Sequence, residues 1–247
     1  MDKIIQISDI HFCIRDKNHD SRKNLSLVLN KINDLYDKYI LVLSGDLVMK
    51  DDKAHYIELY QYIRTFTHNP IYAIPGNHDD IVLMQELATQ ENLFKIQDVL
   101  EIGSNDVIFL NSSEKGEHLG GGKIDVSYFE TIKSKLRENS NKIIFIHHPP
   151  FKIGADWFKK ICLDNGDLLM KSLSEINNLK YLAYGHCHNY FIEERENTIF
   201  LSCPSSWVQF DHTCHGEIKY DQKIAIGFNV FHLSDDISHD TITISGH

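Results

Sequence analysis

No C-x-x-C pair occurs in this chain, and its five cysteines (Cys13, Cys162, Cys187, Cys203 and Cys214) are odd in number. Such scattering argues against a zinc-finger or disulfide framework and reads as free thiols in a reducing cytoplasm. No apolar run approaches the roughly 20 residues of a membrane span, so no membrane association is expected. Met1-Asp2-Lys3 passes straight into a short apolar segment, without the basic and apolar regions of a signal peptide. Basic charge is scarce: 25 Lys and Arg face 35 Asp and Glu, a formal net charge of −10. A broad nucleic-acid footprint needs a basic surface, so none is expected. Pro- or Ser-rich linkers, charge blocks and solenoid-period repeats are also missing, which favours a single domain over residues 1–247. What is present is a 42% apolar, 24% charged composition over 247 residues, the balance of a globular protein able to bury a large core. Histidine is the excess, at 15 residues, and its placement decides what that excess means.

The order of elements reads as β/α alternation followed by β alone. Lys3-Ile4-Ile5-Gln6-Ile7-Ser8 is a short buried strand. Residues 24–38 form an amphipathic helix, with Leu25, Val28, Leu29, Ile32 and Leu35 at helical spacing. Residues 40–44 and 71–74 are strands flanking a helix over 53–66. Asp79 or Asp80 then caps a helix running to about residue 87. Residues 90–103 show no clean period. A strand over 107–110 leads into a polar loop through Gly120-Gly121-Gly122, which lacks the G-x-x-x-x-G-K-[ST] pattern of a phosphate cradle. Ser127-Tyr128-Phe129-Glu130 has the form of a capping box, opening a helix that packs Phe129, Ile132 and Leu136. A strand over 143–146, a helix over 168–179 and a strand over 181–184 follow. Segments 190–194, 198–202, 224–233 and 241–244 read as strands of an antiparallel tail.

Five of these apolar strands end in groups that bind cations or move protons. They deliver Asp9 with His11, Asp46, Asn77 with His78, His147, and His186 with His188. Along an extended chain Asp9 and His11 share a side and Ile10 turns away. In an open α/β sheet the carboxyl ends of strands converge on the ligand crevice. Two carboxylates, an amide oxygen and five imidazoles gathered there need a compensating charge, which divalent cations supply. The count suits two ions, and imidazole with carboxylate favours Mn, Fe or Zn over Ca or Mg. Asp46 can reach both ions, since a carboxylate has two oxygens. Cys187, between two ligands, should face away as core filler. For His148, facing the substrate or supporting its neighbour His147 competes evenly with a purely structural role. His212, His215, His232, His239 and His247 are assigned to surface or core by default.

In this arrangement the chain resembles the calcineurin-like metallophosphoesterases. The resemblance is carried by Asp9-Ile10-His11, Gly45-Asp46, Gly76-Asn77-His78-Asp79, His147 and Gly185-His186-Cys187-His188, which span about three quarters of the sequence. Ser8-Asp9-Ile10-His11-Phe12, His147-His148-Pro149-Pro150-Phe151 and Cys203-Pro204-Ser205-Ser206 look most similar to the class III cyclic-nucleotide phosphodiesterase branch. The Asp that partners the motif histidine in protein Ser/Thr phosphatases is missing from Gly45-Asp46-Leu47-Val48-Met49, which argues against that branch. The resemblance implies a four-layered α/β/β/α sandwich with a binuclear site at one edge. It implies Asp9, His11 and His188 on one metal, Asn77, His147 and His186 on the other, and Asp46 shared. It also implies that Asn77 and His78 contact the phosphate and that His78 stabilises or protonates the leaving oxygen. The reaction expected is in-line attack on a small phosphodiester, plausibly a cyclic nucleotide, by a hydroxide between the metals. A phosphomonoesterase or pyrophosphatase of the same fold is the alternative, and a non-catalytic binding scaffold a remote one. The partner expected is a small-molecule phosphoester, selected by the loops over 14–24, 112–123 and 207–220. In the last of these Trp207 and Phe210 could stack on a base, although a core or lid role is favoured.

Overall fold

A computed structural model describes residues 2–14, 19–114, 120–221 and 223–245. His247 and the segments 15–18 and 115–119 of two expected specificity loops lie outside the described residues. Two sheets face each other. The first contains β1 (Lys3–Ile7), β2 (Ile40–Ser44), β3 (Ile71–Ile74), β12 (Ile226–His232) and β13 (Ser238–Ile244), in the order β13-β12-β1-β2-β3. The second contains β4 (Val99–Ile102), β5 (Asn105–Phe109), β6 (Asn141–Phe145), β7 (Leu179–Tyr184), β8 (Ile192–Arg195) and β9 (Thr198–Ser202), in the order β4-β5-β6-β7-β9-β8. The helices are α1 (Ser21–Leu35), α2 (Lys53–Arg64), α3 (Ile81–Gln90), α4 (Val126–Lys133) and α5 (Gly166–Leu173).

Side-chain alternation explains the layering. On β1, β2 and β3, Ile5, Ile7, Leu41, Leu43, Ile71 and Ala73 pack with α1, α2 and α3. Their alternates Ile4, Val42, Tyr72 and Ile74 meet Val107, Phe109, Ile143, Phe145, Tyr181 and Leu201 of the second sheet. The remaining face of that sheet, with Ile108, Ile144, Leu182 and Phe200, is covered by α4 and α5. Strands β1–β3 and β5–β7 are thus apolar on both faces, as parallel strands between two layers must be. The result is the expected four-layered α/β/β/α sandwich. Rings of Tyr72, Phe109, Phe145 and Phe231 run through its middle at centroid spacings of 5.3, 6.0 and 5.5 Å.

Several local expectations change. The aperiodic segment 90–103 contains β4, which forms a hairpin with β5 around Gly103, whose φ of 55° suits the turn. α4 is capped by Asp125, whose side chain accepts from the Tyr128 N–H at 2.9 Å, and not by Ser127, which lies inside the first turn. The helix expected over 168–179 ends at Leu173; Asn178 adopts φ 58° and hands the chain to β7 at Leu179, a conformation Asn tolerates. The tail is not wholly antiparallel: β9 pairs parallel with β7, while β8–β9 and β12–β13 are antiparallel. A two-stranded ribbon, β10 (Gln209–Phe210) with β11 (Tyr220–Asp221), sits where a loop was expected.

One buried charge on the second sheet has a stability role. Asp106 accepts from Arg137 Nε at 2.7 Å, from the Arg137 N–H at 3.0 Å and from Ser140 Oγ at 2.6 Å. Burial alone would raise its pKa, but the bonds from Ser140 and Arg137 more than offset that and lower it. A carboxylate lowered in this way stabilises the fold above its unfolded pKa of about 3.9, and the gain is lost as pH falls through the acid range. Asp106→Ala should therefore cost about 2 kcal/mol at pH 7 and flatten the loss of stability between about pH 5 and 3. Thermal unfolding across that range checks this, and an unchanged Tm together with an unchanged pH slope would refute it.

Candidate active site

Every expected site residue leaves the carboxyl end of a strand. Asp9 and His11 follow β1, Asp46 follows β2, Asn77 and His78 follow β3, His147 follows β6, and His186 and His188 follow β7. The reason Asp9 and His11 converge differs from the one expected. They are not alternate residues of an extended chain but left-handed turns, with φ of 52° and 45°. Asp46, His186 and His188 share that region, at 51°, 65° and 42°. Each turn is held by its neighbour: the Asp9 N–H donates to Gly45 O at 3.1 Å, His11 N–H to Asp46 O at 2.9 Å, and Gly185 N–H to His147 O at 3.0 Å. Gly76 is required at its position, since a Cβ there would collide with Asp46 and His147.

Two sets of donor atoms result. Asp9, His11, Asp46 and His188 each offer one atom, all within 4.8 Å of one another, and so do His147, His148 and His186. Asp46 lies between the sets. Its Oδ2 is 3.5 Å from His11 Nε2, and its Oδ1 is 3.5 Å from His147 Nε2 and accepts from the His78 N–H at 2.9 Å. Asp9 accepts from the His186 N–H at 3.0 Å and lies 3.3 Å from His188 Nε2.

Backbone carbonyls set the imidazoles. His147 Nδ1 lies 2.8 Å from Ser44 O, His188 Nδ1 2.8 Å from Val208 O, and His186 Nε2 3.0 Å from Ile161 O. A carbonyl only accepts, so each of these nitrogens carries the proton and the other nitrogen turns a lone pair inward. His188 Nε2 therefore points a lone pair at the Asp9 carboxylate and at His11 Nε2, 3.1 Å away. His147 Nε2 faces Asp46 in the same way and presents a lone pair once its imidazole is neutral. Asn77 Oδ1, His147 Nε2 and His148 Nε2 are buried with no hydrogen-bond partner. Lone pairs facing lone pairs and anionic oxygens fit a cation, and the donor set suits a transition-metal ion.

With no ion bound, protons on the imidazoles answer the two carboxylates in the place a cation would take. Burial would raise the pKa of Asp46, but the charge of His147, 3.5 Å away, and then that of His11 hold it well below the ordinary range. Burial likewise opposes Asp9, yet His188 brings it down to about 2. Burial lowers His147, but the Asp46 charge lifts it to about 9. Burial, without such a carboxylate in contact, leaves His148 at about 3.

Not all expected residues are equivalent. His78 is exposed, with its ring 4.8 Å from that of His11, whereas His148 is wholly buried and bound through Nδ1 to Ser112 Oγ at 2.8 Å. Cys187 faces the core, as expected. Trp207 and Phe210 are half-buried against the site: Trp207 lies 5.0 Å from His11, and Phe210 stacks on His188 at 4.2 Å. His212, given no role from sequence, lies 2.8 Å through Nε2 from Cys187 O, between the two histidines of that motif. Asp80 caps α3, whereas Asp79 turns inward. Its carboxylate accepts from the Gly76 N–H at 2.9 Å, the Leu47 N–H at 3.1 Å and the Tyr56 hydroxyl at 3.1 Å, joining the Asn77 turn to the Asp46 turn. The signal for it was its place in Gly76-Asn77-His78-Asp79. A separate cleft of about 720 Å³ between α3 and α4 borders none of the site residues, and Asp98, Glu114 and Asp125 outnumber Lys123 in its lining.

The sequence model of the calcineurin-like phosphoesterase family matches residues 2–190. A probable cyclic nucleotide phosphodiesterase of Coxiella burnetii is 26% identical over 227 residues, covering 91% of this chain and 88% of that protein. The 3′,5′-cyclic adenosine monophosphate phosphodiesterase CpdA of Pseudomonas aeruginosa is 24% identical, covering 94% of this chain and 86% of its own. Among solved structures, a dimetal phosphatase from Danio rerio superposes with a TM-score of 0.68 at 12% identity over 98% of both chains.

The tie made by Asp79 is open to test. Asp79→Ala leaves the Gly76 and Leu47 N–H groups unpaired and should cost about 2 kcal/mol. It should also weaken metal binding by roughly tenfold or more, since the turns it joins carry ligand candidates. Chelator competition and thermal unfolding measure both; wild-type values in each would show that the carboxylate positions nothing.

Proposed function

The chain belongs to the calcineurin-like phosphoesterase family, a family of metal-dependent hydrolases, and from that premise we propose that it cleaves a small phosphodiester, with cyclic nucleotides as the substrate class. The observation that carries this reading is Asp46, buried between His11 and His147 with one oxygen turned toward each. Asp9, His11 and His188 would hold one cation, and Asn77, His147 and His186 a second, with Asp46 contributing to both. Mn, Fe or Zn fits these donors. Bound there, such ions supply Lewis acidity that lowers the pKa of water and neutralises charge on phosphoryl oxygens.

The chain's own groups do the rest. The carbonyls of Ser44, Val208 and Ile161 keep three imidazoles in the tautomer that presents a lone pair. The His78 backbone N–H is fixed on Asp46, so its exposed ring stands where a substrate enters, able to bind a phosphoryl oxygen and pass a proton to the leaving oxygen. Asn77, one residue before it, shares the phosphate contact; His148, farther inside, would orient the bound ester from behind His147. The central layer between the sheets supports one domain over the whole chain. Buried, unpaired Cys162, Cys187 and Cys203 suit a reducing, cytoplasmic setting.

Protein reloaded with Mn should hydrolyse 3′,5′-cyclic AMP, and bis-p-nitrophenyl phosphate faster than p-nitrophenyl phosphate. The reverse preference would favour a phosphomonoesterase, and metal binding without turnover of any phosphoester a binding scaffold. Asp46→Ala should bind fewer ions per chain and lose activity; survival of both refutes the shared-ligand role. His78→Ala should keep its metal content while kcat falls about 100-fold, most for poor leaving groups. An equal loss for good and poor leaving groups would remove the proton from its role.

A further inference from the structure

The ribbon of β10 and β11 carries an exposed ring beside the site. Phe210 and Tyr220 are register partners, with ring centroids 5.5 Å apart. The base of the ribbon is fixed: the Phe210 N–H donates to His188 O at 2.8 Å, and the Phe210 ring stacks on the His188 imidazole. Trp157 Nε1 donates to Cys214 O at 2.8 Å, and the Trp157 ring stacks on His212 with an interplanar angle of 10°. Tyr220 therefore stands on a fixed support, yet it is 58% exposed. Its centroid is 6.0 Å from that of Trp207, which stacks on His19 at 4.5 Å and reaches His11 at 5.0 Å. From His11 outward the wall reads Trp207 and then Tyr220, with Phe210 behind. His78, the proposed proton donor, packs on His11 at 4.8 Å.

Trp207 and His78 thus share one imidazole as a neighbour, so whatever is bonded to the leaving oxygen at His78 lies near this wall. We propose that Tyr220 is the stacking surface for the aromatic base of a nucleotide substrate, and that Trp207 and Phe210 fix the height of that surface above the site. This rests on the phosphodiesterase reading and names the part of the substrate that the ribbon selects. An aromatic face already fixed by its neighbours loses little freedom when a base settles on it. Stacking also needs no positive charge, which suits a chain of net charge −10. Base–aromatic stacking is worth a factor of about ten or more in affinity.

Calorimetry on the metal-loaded protein with adenosine 5′-monophosphate and with methyl phosphate separates base from phosphate recognition. Wild type should bind the nucleotide about tenfold more tightly than methyl phosphate. Tyr220→Ala should abolish that difference with methyl phosphate affinity unchanged, and Tyr220→Phe should retain it. The KM for 3′,5′-cyclic AMP should rise about tenfold in Tyr220→Ala at nearly constant kcat. Equal weakening of both ligands, or no change in either, overturns the assignment. If cyclic AMP is not hydrolysed but the nucleotide preference depends on Tyr220, the stacking site stands and only the substrate reading fails.

Discussion

Asp46 is buried, and its two oxygens face the Nε2 atoms of His11 and His147, each at 3.5 Å. The His78 N–H answers part of its charge, and with no ion bound a proton on an imidazole such as His147 answers more. Moving an ionised carboxylate out of water is expensive without such an answer, and Asp9 repeats the problem against His188. The backbone adds to the cost, because Asp9, His11, Asp46, His186 and His188 all occupy left-handed conformations, each of order 1 kcal/mol or more for a residue with a side chain. Such an arrangement survives because three apolar layers surround it, and it makes sense because a cation relieves what the chain alone cannot.

The tail does more for the site than its texture suggests. Val208 O fixes the tautomer of His188, and His212 supports the Cys187 carbonyl. Ser205 Oγ donates to Asp9 O at 2.9 Å, and the Ser206 N–H to Ser8 O at 3.1 Å. Beneath the site, Gln6 Nε2 donates to Ser44 Oγ, and Asn229 Nδ2 to Gln6 Oε1. That network links β12 to the strand whose last carbonyl orients His147. Changes on the tail are therefore coupled to ligand orientation, although none of these residues is itself a ligand candidate.

What was legible from residues alone divides along a physical line. Buried parallel strands are contiguous apolar runs, and the polar residues that end them are conspicuous, so Asp9, His11, Asp46, Asn77, His147, His186 and His188 could be read without a structure. Helix and strand existence followed from periodicity, whereas ends did not: Asn178 and Asp125 set theirs by conformation and a cap, signals one residue wide. β4 was hidden because an edge strand of four residues, none fully buried, has no alternation to display. His212 acts through a hydrogen bond to a residue far off in sequence, which no local pattern encodes, and the motif that holds Asp79 does not show its bonds to Leu47 and Tyr56. The left-handed turns were invisible for a similar reason: Asp and His adopt them here because neighbouring strands hold their N–H groups.

An acidic protein that binds a phosphate ester must explain its attraction. Among the described residues, the side chains gathered at the site include no Lys or Arg, and the carboxylates of Asp9 and Asp46 would repel the substrate if left uncovered. Acidic groups on the surface matter less, because solvent and salt screen them beyond about 8–10 Å. Ions seated among the buried donors act at contact distance, where screening is weak. On the proposed reading the substrate would experience the charge of the ions and of His78, not the charge of the protein. On that account phosphate affinity belongs to the centre and selectivity to what surrounds it, which is why an uncharged aromatic wall is a suitable neighbour for this site.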